Sequence, residues 1–221
     1  MGAFNGSLTY RQYFVRAPLP DDWRDRFPQR IADFSAKDID PKGEEERGVG
    51  WCSAHFPLDV DLHEGLYLYN DYLALSMRVD TLKVAGPTLK IHAELECRRV
   101  IAAQNLESLN RYQRAEIKEQ VKLQLRKRIL PSIKAVDFVW NLERQTVWFW
   151  SGSEKVNVEF QELFEQTFEL PLGSDTAYTA AAYGALGVSD EVVTALATLQ
   201  PSFFISGETG LAASLEISGG R

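Results

Sequence analysis

Five basic residues, Arg111, Arg114, Lys118, Lys122 and Arg126, follow one another at spacings of three, four, four and four. On a helix turning about 100° per residue they share one arc of roughly 120° and extend along about 22 Å of axis. In a chain whose net charge is −7, such a narrow cationic rail suits a polyanion, and DNA is the leading candidate. Lys127, Arg128 and Lys134 continue the positive charge past the C-terminal end of the rail, where cations also complement the helix dipole. The competing reading is a solvated helix face, with the lysines lying alongside Glu116 and Glu119. If phosphates are the ligand, contacts would position the protein without reading bases, and little sequence preference is expected.

Two other groups of residues have chemical potential. Phe138, Trp140, Trp148, Phe149 and Trp150 surround a predicted β-hairpin and would stack unpaired bases if exposed. Alternation of Val136, Phe138 and Trp140 on one face, and of Val147 and Phe149, favours core packing instead, with Trp148 and Trp150 pointing the other way. Asp59, Asp61 and His63 would share one face of a strand and, with Glu64, form the one dense set of metal-ligand types. They follow Pro57 in a polar stretch with no second acidic motif, so a solvated loop is favoured over a metal-dependent nuclease centre.

Other chemistries lack their residues. No glycine-rich loop followed by Lys-Ser/Thr is present to cradle a nucleoside triphosphate. The three histidines, His55, His63 and His92, accompany no Ser or Cys nucleophile motif. His92 is expected to be a packing residue on a helix. Cys52 and Cys97 show no metal-ligand spacing and read as buried thiols. No catalytic residue, metal or cofactor is assigned, and the chain reads as a non-enzyme.

The elements that must position these residues follow from periodicity and punctuation. Leu8 to Val15 reads as a strand, and Asp22 to Phe34 as a helix that Pro28 kinks or interrupts. Glu44-Glu45-Glu46 with Gly48 and Gly50 marks an exposed loop before Trp51. Residues 67–84 read as extended, with a hairpin turn at Asn70-Asp71 and a strand in which Leu73, Leu75, Met77 and Val79 face inward. Gly86 or Thr88 is expected to cap a long helix reaching about Leu109. That helix carries two apolar stripes, one of Leu89, Ala93, Cys97 and Val100, the other of Ile91, Leu95, Ala102, Leu106 and Leu109. Two stripes predict a helix held between a sheet and a second helix. The basic helix then runs from about Tyr112 to Leu130, ending at Pro131.

Residues 135–151 read as the aromatic hairpin, turning at Glu143-Arg144. A helix from about Glu154 to Phe168 follows, with Val158, Leu163 and Phe164 available for packing, and Pro171 beyond its end. A final short helix is expected near Asp190 to Leu199, in a tail rich in Ala, Ser and Gly that closes on Ser218-Gly219-Gly220-Arg221. The order indicates an α+β fold: a mostly antiparallel sheet with helices packed on one face, and a long helical pair inserted before a β-hairpin.

Charge is distributed unevenly along this order. Residues 97–134 hold ten basic and three acidic side chains, a net of +7, whereas residues 135–221 hold three basic and twelve acidic ones. An acidic body normally repels nucleic acid, and the local cationic concentration works against that repulsion. With 45% hydrophobic residues, five Trp and twelve Phe, the chain is expected to fold as a globular protein. Without a membrane-length apolar run or a signal-peptide layout, it is expected in the cytoplasm.

From about Ser7 to Leu172 the pattern resembles the recombination-associated protein RdgC family. The resemblance rests on the opening strand, the Gly48-Val49-Gly50-Trp51 turn, and the strand Leu73–Val79 leading through Leu82-Lys83-Val84 and Pro87 into the long helix. It continues through the charged helix with Glu116-Ile117-Lys118 and Val121, the Trp140 strand with its Trp148–Trp150 partner, and the helix from Ser153. The resemblance implies an RdgC-like DNA-binding region over residues 1–172, followed by a C-terminal extension over 173–221. It further implies non-sequence-specific binding of double-stranded DNA (single strands being the alternative ligand), a homodimer, association with the nucleoid, and modulation of RecA-type recombination. The DNA-binding set would be Arg111, Arg114, Lys118, Lys122, Arg126, Lys127, Arg128 and Lys134. The alternative is a protein-interaction module of the same fold without DNA binding.

Overall fold

A computed structural model describes residues 2–3, 9–183 and 188–198. Leu8 and the closing Ser218–Arg221 sequence therefore lie outside the described residues. The chain divides into two compact units, residues 1–175 and 176–221. The first contains strands β1 (Arg11–Val15), β2 (Arg47–Cys52), β3 (Leu68–Tyr69), β4 (Tyr72–Thr81), β5 (Ser132–Asn141), β6 (Thr146–Phe149) and β7 (Leu172–Ser174). Its helices are α1 (Trp23–Asp33), α2 (Glu64–Tyr67), α3 (Gly86–Gln104), α4 (Arg111–Arg126) and α5 (Glu154–Phe168). In the second unit the described helices are α6 (Ala177–Tyr183) and α7 (Asp190–Thr198).

The strands form one antiparallel sheet in the order β2-β4-β5-β6-β1-β7, with β3 also paired to β4. This is the α+β architecture expected from the element order. Alternation decides which side is apolar. Leu73, Leu75, Met77, Phe138, Trp140, Val147 and Phe149 are buried in one cluster with Phe27 and Ile31 of α1 and Phe160, Leu163, Phe164 and Phe168 of α5. Phe149 and Phe160 stack with centroids 4.0 Å apart and planes 7° from parallel.

Several polar atoms drawn into this core have partners, whereas the Tyr67 hydroxyl and Trp140 Nε1 are buried without one among the described residues. Trp51 Nε1 donates to Thr167 Oγ1 at 2.8 Å, and the Tyr13 hydroxyl donates to Asn157 Oδ1 at 2.6 Å. The Asn157 amide in turn donates to the carbonyls of Ser151 and Ser153. On the opposite sheet face Ser76, Arg78, Asp80 and Asp137 are buried and polar. Arg78 pairs with Asp80 at 2.5 Å and with Asp38 at 3.1 Å, while Asp137 accepts from Ser76 Oγ and from the Ala3 amide. A buried ion pair is tolerated where such further bonds complete it.

Several boundaries differ from expectation. Residues 47–52, read as loop and turn, form β2 against β4. Gly50 signals a close backbone approach within a strand: a Cβ there would lie 2.6 Å from the Ala36 nitrogen and Cα. The Ala36 amide donates to Trp51 O, and the Trp51 amide to Phe34 O. Helix α1 continues through Pro28 because burial of Phe27 and Ile31 outweighs one missing amide. Helix α3 starts after Ala85, not under a Gly86 or Thr88 cap, and ends at Gln104, five residues before Leu109, with Asn105 as its C-cap in the left-handed region at φ 52°. The Asn70-Asp71 hairpin, the hairpin loop at residues 142–145 and helix α5 fall where the sequence placed them. Val158 of α5 is exposed, however, and does not join the core. Strand β7 and helix α6 carried no clear periodic signal.

Substitution along α5 should follow this burial. Phe160→Ala is expected to cost about 3–5 kcal/mol through lost transfer energy and a cavity, whereas Val158→Ala should stay within about 0.5 kcal/mol. Gly50→Ala should cost about 1–3 kcal/mol, since the neighbouring backbone must move. Urea unfolding midpoints at constant m-value check all three.

Candidate nucleic-acid interface

Helices α3 and α4 form an excursion between β4 and β5, whose closing pair is Thr81 and Ser132. Pro87 sits in the first turn of α3, where a missing amide hydrogen carries little penalty. Asn110 begins α4 with a capping box: its side chain accepts from the Gln113 amide while the Gln113 side chain accepts from the Asn110 amide. Such a box fixes the helix start and typically contributes about 1 kcal/mol. The two helices share a small core of Cys97, Leu109, Ile117 and Val121, with Leu89, Val100, Ile101 and Leu125 packed around it.

This packing consumes only one stripe of α3. Ile91 is 69% exposed and Leu95 46%, and Ala102 and Leu106 are also exposed. No described element covers the second stripe, so α3 is not held between a sheet and another helix as its two stripes predicted. Leu109 alone of that stripe is buried, because the chain has already turned toward α4. His92 is likewise exposed and not a packing residue.

The cationic rail is divided in the same way. Arg111, Arg114 and Lys118 are exposed, as are Lys127, Arg128 and Lys134 beyond it. Lys122 is half-buried, its Nζ 2.7 Å from Glu46 Oε1. Arg126 is only 2% exposed. Its Nη2 donates to Glu45 O at 2.6 Å and its Nη1 to Glu44 O at 3.4 Å, while its buried Nε has no partner among the described residues. Arg126 therefore clamps a loop and does not stand open as a phosphate contact, which corrects its place in the expected DNA-binding set. The reason is angular: the rail borders the Ile117–Val121 stripe, and its C-terminal edge passes under residues 44–46. Neither Glu116 nor Glu119 forms an ion pair with the rail among the described residues, so the neutralising carboxylate comes from elsewhere in the chain.

Lys42, Gly43, Glu44, Glu119, Lys122, Leu123 and Arg126 line a cleft of about 410 Å³ at this junction. The Lys122 hydrogen bond, reinforced by the Lys122 charge, holds the Glu46 carboxyl below the usual carboxylate range. The ionised partner is thus favoured near neutral pH. Sequence reasoning missed Glu46. The acidic run at residues 44–46 was visible, but nothing in the spacing tied it to a helix so distant in the chain.

The remaining candidates separate cleanly. Trp140, Phe138, Val147 and Phe149 are fully buried, and Val136 packs against them. Trp148 is half-buried and donates through Nε1 to Gln12 Oε1 at 2.9 Å, and Trp150 lies against Tyr10 at 5.8 Å. The Asp59–Glu64 stretch is irregular up to α2, so no strand aligns Asp59, Asp61 and His63. Among the described residues no group of three or more His, Cys, Asp or Glu is arranged to hold a metal ion. Cys52 and Cys97 are buried, unbridged thiols.

No family model matches the chain, and no curated protein sequence matches it. No helix among the described residues is long and apolar enough to cross a membrane.

Burial pushes the Cys52 thiol up to about 12. At pH 8 only about one molecule in ten thousand would carry a Cys52 thiolate, the nucleophilic form. Iodoacetamide at pH 8 should accordingly leave Cys52 unlabelled in the folded protein and modify it readily in urea, as read by peptide mass spectrometry.

Proposed function

We propose that the protein is a non-enzymatic, RdgC-like DNA-binding protein that holds duplex DNA through phosphate contacts from α4 and the turn after it. The observation that carries this reading is the exposed series Arg111, Arg114 and Lys118 on a helix that presents no carboxylate partner to them. Lys127, Arg128 and Lys134, also exposed, add cations where the duplex would leave the helix. Since no base-reading geometry is needed, binding is largely independent of sequence. A homodimer would double the cations offered to one duplex. Action in recombination, beside a RecA-type recombinase and within the nucleoid, is supported by the sequence resemblance alone.

A second reading has its own observation. The uncovered Ile91–Leu95 stripe, with Pro87, Lys90, Glu94 and Arg98 around it, favours a protein-binding role for α3. Apolar surface of this kind rimmed by charge is typical of interaction sites.

Fluorescence anisotropy with a labelled duplex of random sequence separates the readings. The three rail contacts together with Lys127, Arg128 and Lys134 predict a log–log salt slope of about −5 per subunit, from roughly −0.9 for each phosphate. The pair Arg111→Glu and Lys118→Glu should weaken binding at least about tenfold at 100 mM NaCl. Lys155→Glu, on α5, should change it little. Equal loss in both variants, or no salt-dependent binding by the unaltered protein, would leave the protein-binding reading standing.

A further inference from the structure

Lys122 is the rail position that meets a carboxylate. The loop that holds it is fixed at both ends. Arg126 binds the Glu44 and Glu45 carbonyls from one side, and the Leu82 amide donates to Glu46 O from the other. Asp40 supports the approach to this loop, accepting from the Lys42 amide through Oδ1 and from the Gly43 amide through its carbonyl. With its backbone fixed in this way, the Glu46 side chain reaches Lys122 at 2.7 Å without the entropy cost of ordering a flexible segment. Glu44 is exposed and lines the same cleft as Lys122.

A carboxylate placed so competes with any phosphate for the same ammonium group. The ion pair is one-third exposed, with side-chain exposures of 32% and 37%, so its net strength is modest and salt-sensitive. It is thus breakable by a duplex but present without one. We propose that residues 44–46 act as an internal competitor for the polyanion, making Lys122 a conditional phosphate contact that Glu46 withholds. The inference rests on the nucleic-acid reading above and specifies how that interface is restrained. Arg126 is the positioning residue, since it acts by holding the loop and touches no ligand itself.

The test is a double-mutant cycle on the full chain, read by anisotropy of a labelled 30-base-pair duplex across a NaCl series. Glu46→Gln keeps side-chain size and the Leu82–Glu46 backbone bond while removing the charge. It should tighten binding about tenfold at 50 mM NaCl and steepen the log–log slope by about 0.9, the signature of one added phosphate contact. Lys122→Gln alone should change affinity by less than about twofold, because the residue is already committed, yet in the Glu46→Gln background it should erase the gain. Glu143→Gln, at the distant hairpin turn, removes the same charge and should leave the slope unchanged. A gain that survives Lys122→Gln, or an equal gain from Glu143→Gln, would show a general charge effect and overturn the competitor. Rail-dependent binding without any gain from Glu46→Gln defeats this inference alone. Absence of binding by every variant defeats the nucleic-acid reading together with it.

Discussion

The ladder between β4 and β5 runs through ten consecutive residue pairs, from Tyr72 opposite Asn141 to Thr81 opposite Ser132. Its register sends Leu73, Leu75 and Met77 with Trp140, Phe138 and Val136 toward α1 and α5, and Ser76, Arg78 and Asp80 with Asp137 to the other side. A slip of one residue would exchange the two sets and bring Arg78 and Asp80 against the Phe160–Phe164 aromatics. That ion pair would then sit in an apolar layer away from Asp38, which is unfavourable. The same ladder fixes both ends of the α3–α4 excursion, so the placement of every rail residue depends on it.

Elements with a single dominant period were legible in the sequence. Helix α5 buries one face, with Leu163 and Phe164 on it, and β4 alternates apolar side chains toward α1 and α5 with largely polar ones on its other face, which is buried as well. Strand β2 was not legible, since Gly48 and Gly50 carry no side chain to alternate and resemble loop residues until Ala36 is seen lying against Gly50. The second stripe of α3 misled for another reason. Periodicity shows that a surface is apolar, but not that anything covers it.

The rail shows the same limit. Spacing established that Arg111 through Arg126 share one side of α4, and this holds as geometry. It carried no information on residues 44–46, which arrive from far away in the chain and cover the rail's last turn. Arg126 and Arg78 then illustrate two ways of burying a guanidinium. Arg78 is neutralised by Asp80 and Asp38, whereas Arg126 is satisfied largely by neutral carbonyls. Arginine suits both settings, since its planar fork binds oxygen acceptors in fixed directions and keeps its charge. At Arg126 no carboxylate forms an ion pair among the described residues, and its charge acts instead at longer range on the Glu46 carboxyl.

Thr81 and Ser132 are cross-strand neighbours, so the polypeptide leaves the sheet and re-enters it through a single doorway. Fifty residues intervene, and Arg126 and Lys122 tie them back to residues 44–46 at the entry to β2. A change of length or composition in the excursion must therefore respect two attachments, the doorway itself and the loop at residues 44–46.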